Sequence, residues 1–126
     1  MVYTIIWKEQ SYDLPPKTLK VVEAMDKAAK VDSVAGMSIV DKFKTIHGFI
    51  ISCIGKDNAK EIFGDDRLDK IDLSEVTIVF RMIVDAYKKP IDDYIAGKSA
   101  EKLEAAQIDK VIEMAKAAQN LPKSNK

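Results

Sequence analysis

This sequence of 126 residues has little of the chemistry that small enzymes and metalloproteins use. It contains one cysteine, Cys53, and one histidine, His47. One cysteine excludes an intrachain disulfide framework and a cysteine-based zinc site, and one histidine excludes a site with several histidine ligands from one chain. Twenty basic residues balance 20 acidic ones, so the net charge is zero. The chain therefore lacks the bulk electrostatic attraction that nucleic acid or an anionic membrane surface exerts on a basic protein.

Long apolar runs are also missing. No run approaches the roughly 18 residues that a membrane-spanning helix needs, and the start of the chain does not resemble a secretory signal. Together with a free thiol, these features predict a protein of the reducing cytoplasm with no membrane partner.

The remaining composition is that of a soluble globular domain, with 47% hydrophobic and 32% charged residues. We predict one domain over residues 1–119 and a flexible polar tail over residues 120–126. The expected fold class is α+β and mostly α, with an N-terminal β-hairpin packed on a bundle of about five helices.

The hairpin is predicted from strict alternation at the start of the chain. Residues 2–7 place Tyr3, Ile5 and Trp7 on one face, and residues 12–14 resume the alternation before Pro15 and Pro16 end it. A two-stranded hairpin is marginally stable alone. It must therefore pack on helices or pair with another chain.

Apolar spacings of three and four residues predict the helices. They cover residues 16–30, 33–54, 57–63, 72–90 with a short continuation to 95, and 100–119. The predicted helix ends are Gly55, Gly64, Pro90 and Gly97, and the predicted caps are Asp72 and Ser99. The stripe expected at the centre of the core is Leu73, Val76, Phe80, Ile83 and Tyr87, with a second stripe of Val79, Met82 and Ala86 beside it.

Candidate chemical sites are weak. The acidic loop 65–72 does not fit a calcium-binding EF-hand loop, because Arg67 falls at the third position and Lys70 at the sixth. His47 and Cys53 are six residues apart on one predicted helix and do not share a face. Neighbouring Asp92 and Asp93 diverge by about 100° on a helix, so they make a poor acid–base pair. We therefore predict no catalytic residue, no metal and no cofactor.

Nucleic-acid binding is not expected either. A helix-turn-helix reader presents arginine, asparagine or glutamine on a basic face. This chain has two arginines, Arg67 and Arg81, and the first lies in an acid-rich loop.

Two apolar surfaces are candidates for binding a partner. The last predicted helix has a narrow stripe that either covers the core or serves helix-in-groove binding or self-association. The hairpin face could likewise join copies or hold a partner. The candidate residues are Ile108, Val111, Ile112 and Ala115 on the helix and Tyr3, Ile5 and Trp7 on the hairpin.

Four segments carry a family resemblance through their order and spacing. They are residues 12–19 (YDLPPKTL), 53–64 (CIGKDNAKEIFG), 71–78 (IDLSEVTI) and 83–90 (IVDAYKKP). As a set, they resemble the tail assembly chaperones of long-tailed phages and prophages of Gram-positive bacteria. The resemblance covers about residues 1–95, and the final thirty residues match nothing specific.

The resemblance implies an assembly factor rather than an enzyme. Proteins of that family coat the long, largely helical tape measure protein in the host cytoplasm until tail tube subunits polymerise around it and displace the chaperone. They are absent from the finished tail, and some members also occur in a longer, frameshifted form. The implied partners are the tape measure protein, other copies of the chain and the tail tube protein. The residues alone leave a second function open, a small cytoplasmic regulatory or adaptor domain, with or without a link to DNA.

Overall fold

A computed structural model describes the backbone of residues 1–109 and the side chains of residues 1–97. The fold is α+β and mostly α, as predicted, and this part of the chain contains four α-helices. The chain divides into a compact unit Met1–Lys88 and a second unit that begins at Lys89. The elements are β1 Tyr3–Trp7, β2 Gln10–Leu14, α1 Leu19–Ala29, α2 Ile39–Ile54, α3 Lys56–Phe63 and α4 Leu73–Asp109, with 3-10 turns at Val31–Ser33 and Leu68–Lys70.

The N-terminal hairpin is confirmed, and its turn is tight. β1 and β2 pair antiparallel, with Tyr3 opposite Leu14 and Trp7 opposite Gln10. The two residues between the strands, Lys8 and Glu9, have φ values of 49° and 71°. Positive φ at both central residues is the geometry of a turn whose twist matches that of the strands.

One face of the hairpin packs on the helices. Ile5, Tyr12 and Leu14 are buried and belong to the same hydrophobic cluster as side chains from all four helices. The Tyr12 hydroxyl donates a hydrogen bond to Glu61 of α3 at 2.8 Å. This packing provides the support that an isolated hairpin lacks.

Two helices begin later than predicted. α1 begins at Leu19 instead of residue 16, with Thr18 at its N-cap. α2 begins at Ile39 instead of residue 33, because residues 31–33 form a 3-10 turn and Gly36 has a φ of +80°. A positive φ is incompatible with a right-handed helix, so the regular helix starts only after this glycine.

Other predicted helix boundaries are confirmed. Gly55 ends α2 with a φ of +89°, and Gly64 ends α3 with a φ of +82°. The Asp72 carboxylate accepts a hydrogen bond from the backbone N–H of Ser74 at 2.8 Å, at the start of α4.

The predicted breaks after residue 90 are wrong, because α4 runs without interruption to Asp109. Pro90 removes a single helical hydrogen bond, to the carbonyl of Ala86, and its fixed φ is compatible with a helix. Gly97 costs only about 1 kcal/mol relative to alanine. The alanine, lysine and glutamate residues that follow favour the helix, so Ser99 lies inside it and does not cap a new one. The predicted last helix, 100–119, is thus a continuation of α4 as far as residue 109.

The core is centred on a slightly different face of α4 from the one predicted. Val76, Val79, Ile83 and Tyr87 are fully buried, with 0% of each exposed. Phe80 is only partly buried, and Leu73 is 40% exposed. Two apolar stripes lie side by side on α4. The face that packs against α2 and the hairpin includes Val79, which belongs to the second stripe.

The predicted domain bounds at residues 119 and 120 stay predictions, because residues 110–126 lie outside the described part.

Candidate functional site

An apolar groove of about 400 Å³ lies where α2 and α4 begin. It is formed by the first turns of α2, the 3-10 turn Leu68–Lys70 and the first residue of α4. Apart from two charged side chains at its rim, the lining consists of aliphatic and aromatic residues. The lining residues are Ile39, Val40, Phe43, Lys44, Leu68, Asp69 and Leu73.

Several of these apolar side chains are open to solvent. Ile39 is 66% exposed, Val40 is 56% exposed and Leu73 is 40% exposed. Single exposed apolar residues are common on any protein, but a contiguous group around a concavity marks a site of interaction. The groove is therefore the strongest candidate for a functional site among the described residues.

Capping hydrogen bonds fix both helix starts that line the groove. The Ser38 hydroxyl accepts from the backbone N–H of Asp41 at 3.1 Å, and Asp72 caps α4 as described above. A cap of this kind stabilises a helix start by about 1 kcal/mol. The first turns are thus held in place, and the groove is present before any partner binds.

The two rim charges have opposite signs and come from different elements. Lys44 extends from α2, and Asp69 belongs to the 3-10 turn. Within the described part of the chain, neither forms an ion pair shorter than 4.0 Å, whereas Lys42 of α2 pairs with Asp32 at 3.3 Å. Both rim charges are therefore free to interact with an occupant of the groove.

The most deeply buried tyrosine has a structural role. The Tyr87 hydroxyl donates to the carbonyl of Pro15 at 2.7 Å, and the Lys17 ammonium donates to the carbonyl of Tyr87 at 3.2 Å. Burial raises the pKa of Tyr87 above its usual value. These bonds attach the segment after β2 to α4, and they commit the phenolic proton to a backbone acceptor.

The histidine and the cysteine are buried in separate surroundings. The His47 ring packs on Phe63, with 5.8 Å between ring centroids, while Cys53 lies beside Ser52 and Tyr87. Burial lowers the pKa of His47 and raises the pKa of Cys53. Burial thus favours the neutral form of both side chains, which suits packing.

The acidic loop bonds to its own backbone. Asp65 accepts a hydrogen bond from the backbone N–H of Arg67 at 2.8 Å, which lowers the pKa of that carboxyl. Across the described residues, no three His, Cys, Asp or Glu side chains come close enough to share a metal ion.

The structure places the predicted hairpin candidates against the core. Ile5 is 3% exposed, and Tyr3 and Trp7 are partly buried. The ring centroids of Tyr3 and Tyr87 are 4.8 Å apart. A partner could reach only the outer parts of Tyr3 and Trp7 in this fold. A direct role for these residues in binding stays a prediction.

The C-terminal candidates fall mostly outside the described residues. The backbone of Ile108 lies in α4. The Ile108 side chain, and all of Val111, Ile112 and Ala115, lie beyond what the structure describes, so their role also stays a prediction.

The groove is not among the surfaces predicted from the sequence. Its walls come from three separate segments, and no single segment has a pattern that marks a binding surface. The available signals were two adjacent aliphatic residues, Ile39 and Val40, next to the polar start of a helix, and the apolar residue Leu68 within the acidic loop. Neither signal shows that the segments meet.

No helix among the described residues is both long enough and apolar enough to cross a membrane. Comparisons of the chain with protein-family models, with characterised proteins and with solved structures find no match. The structure and the sequence are therefore the basis of any functional conclusion.

Proposed function

We propose that this protein is a tail assembly chaperone of a long-tailed phage or prophage, which binds the tape measure protein and keeps it soluble during tail assembly. The four segments that resemble this family support the proposal, and the single structural observation that carries it is the exposed apolar groove. The protein acts by binding and catalyses no reaction.

The groove suits an amphipathic helix. A helix presents roughly three apolar side chains to one face over two turns. A concavity of about 400 Å³ lined by Ile39, Val40, Phe43, Leu68 and Leu73 can cover such a group. A long helical protein that would otherwise aggregate through its apolar stripe gains solubility when many copies of a small chaperone cover it.

The remaining parts of the proposal follow from the same role. The protein works in the host bacterial cytoplasm, associates with copies of itself along the tape measure protein, and is displaced by the tail tube protein. It is not part of the finished tail. Zero net charge favours side-by-side packing, since copies of like charge would repel one another.

Co-expression with a tape measure protein, which the proposal expects to be encoded beside this gene, tests the function. Wild type should move that protein from the pellet to the soluble fraction, and Val40→Asp should abolish the effect by placing a charge in the groove. Ile78→Asp is the matched control, because Ile78 is 50% exposed on α4 and does not line the groove. If wild type leaves the neighbouring protein insoluble, the adaptor function replaces this proposal.

A second variant tests the C-terminal stripe in the same assay. Ile108→Asp with Ile112→Asp should weaken solubilisation without changing the melting temperature if the stripe contacts a partner. A large fall in the melting temperature would instead assign the stripe to the core.

A further inference from the structure

We infer that the outer edge of β1, the side of the strand that faces away from β2, is a dimer interface. Two copies of this chain pair their β1 strands antiparallel at this edge and form one four-stranded sheet. The inference deepens the self-association named in the proposed function and rests on that part of it. It involves neither the groove nor the tape measure protein.

Alternate main-chain polar groups of β1 point to its outer edge. Trp7 and Gln10 flank the two-residue turn and form a hydrogen-bonded pair, and such pairs alternate along an antiparallel ladder. The N–H and C=O groups of Thr4 and Ile6 therefore point away from β2. Within the described part of the chain, no main-chain hydrogen bond outside the ladder reaches either residue. A row of unpaired N–H and C=O groups is a template for another extended strand.

β1 lacks the features with which edge strands avoid such pairing. Native edges are blunted by charged side chains, prolines or bulges. None of the residues Tyr3–Trp7 is charged or a proline, and the register with β2 is continuous. On the outer face of the strand, the apolar side chain of Ile6 is 63% exposed. The other edge of the hairpin is protected, because β2 carries Asp13 and is followed by Pro15 and Pro16.

The composition of β1 makes the strand complementary to itself. An antiparallel pair centred on Ile5 uses all five residues of the strand. It places Thr4 of one copy opposite Ile6 of the other, and Tyr3 opposite Trp7. Cross-strand pairs of β-branched and of aromatic side chains stabilise a sheet, and no like charges meet because the strand has none. Tyr3 and Trp7, which are only partly buried in one copy, become more buried.

The alternative arrangement pairs β1 of one copy with β2 of another. It would bring Asp13 beside the uncharged strand, and each added copy would leave an edge open, so the assembly would continue as a filament. Pairing β1 with β1 uses the same edge on both copies and closes at two. The resulting sheet ends on the two protected β2 edges.

Analytical ultracentrifugation of the full chain from about 1 µM to about 1 mM measures the association. Wild type should sediment as a dimer of twice 14.1 kDa at the upper end of this range. Trp7 is the only tryptophan of the chain and lies in the inferred interface. Its fluorescence emission should therefore shift over the same range of concentrations.

Thr4→Pro tests the main chain of the edge. Proline removes the N–H that points outward and takes no hydrogen bond from the ladder, so the monomer should keep its circular dichroism spectrum. The dissociation constant of the dimer should rise about tenfold or more, because both copies lose a donor. Asp13→Pro is the matched control on the β2 edge, and its dissociation constant should stay within about twofold of wild type.

Ile6→Lys tests the side chains of the edge and gives a second answer if the proline variant does not fold. It leaves the main chain intact and adds the kind of charge that protects natural edge strands. The dissociation constant should rise about fivefold. The Trp7 emission of this variant should change little with concentration.

Three outcomes overturn the inference. They are a wild type that stays monomeric up to about 1 mM, a dimer that neither Thr4→Pro nor Ile6→Lys weakens, and a loss of dimer in Asp13→Pro as large as in Thr4→Pro. Solubilisation of the tape measure protein by a monomeric wild type would remove only this inference. A dimer with the expected response to the variants that leaves the tape measure protein insoluble would support this inference and remove the proposed function.

Discussion

Ile83 and Phe80 lie on the same helix and differ in how far they are buried. Ile83 is fully buried, whereas Phe80 is partly exposed and packs edge-on against Phe49, with 5.8 Å between ring centroids. We predict that Ile83→Ala lowers the free energy of unfolding by about 3 kcal/mol, because it leaves a cavity in the core. Phe80→Ala should cost less than Ile83→Ala, and Leu73→Ala less than about 1 kcal/mol. Urea denaturation measures all three, and a larger loss for Phe80 than for Ile83 would show that Phe80 is the more deeply buried of the two.

His47 should make stability depend on pH in a defined direction. Burial lowers its pKa in the folded state, whereas in the unfolded chain it titrates near about 6.5. Below that pH the unfolded state binds the proton more readily than the folded state does. The free energy of unfolding therefore has its full value, as far as His47 is concerned, above a pH of about 6.5, and it falls as the pH decreases.

The measurement is the free energy of unfolding of wild type at pH 7.5 and at pH 5.0. His47→Gln is the control, since glutamine does not titrate and should remove most of the difference between the two pH values. Carboxylates such as Asp65 also contribute, but their loss comes at more acidic pH. An unchanged pH dependence in His47→Gln would show that other groups cause it.

At the scale of the element, the hairpin turn is built from residues that do not favour its geometry. Lys8 and Glu9 both have positive φ, a region that costs an L-residue roughly 1–2 kcal/mol and costs glycine almost nothing. The side chain of Lys8 has compensating contacts. Its Nζ lies 5.6 Å from the centroid of the Trp7 ring and 4.0 Å from Oε2 of Glu75. In the described structure, Glu9 has no hydrogen bond or ion pair through its side chain, so position 9 can be changed without losing a contact.

Glu9→Gly should therefore stabilise the protein by up to about 1 kcal/mol, after allowance for the entropy that glycine adds to the unfolded chain. Thermal denaturation of wild type, Glu9→Gly and Glu9→Ala measures the effect. Alanine removes the same carboxylate and keeps the strain, so it should give no comparable gain. Equal stabilisation by alanine would mean that the charge, and not the backbone, is the cause.

The helices show which boundaries are local and which are not. Gly55, Gly64 and Asp72 act within one turn of their own position, and the sequence predicts them correctly. Pro90 and Gly97 only weaken a helix, so whether it continues depends on the sum of the propensities around them. The same local reasoning therefore succeeds for caps and fails for these two residues.

At the scale of the whole molecule, the described core lies within the unit Met1–Lys88. The buried apolar side chains there run from Ile5 to Tyr87 and come from both strands and all four helices. The groove belongs to the same unit, and Val40 and Leu73, which both line it, are far apart in the sequence. A core that joins the hairpin to these helices holds the groove walls together, so the binding surface depends on a correctly packed core.

The sequence by itself determined the fold class, the hairpin, the capped start of α4 and the glycines that end α2 and α3. Each of these depends on alternation, helical periodicity or a preference for a particular φ, all of which act between near neighbours. Only the tertiary structure decided that Val79 and not Leu73 is in the core, that the face with Ile5 packs inward, and that three segments form a groove. These outcomes depend on which surfaces meet, because a side chain is buried by residues distant in sequence and no local pattern specifies them.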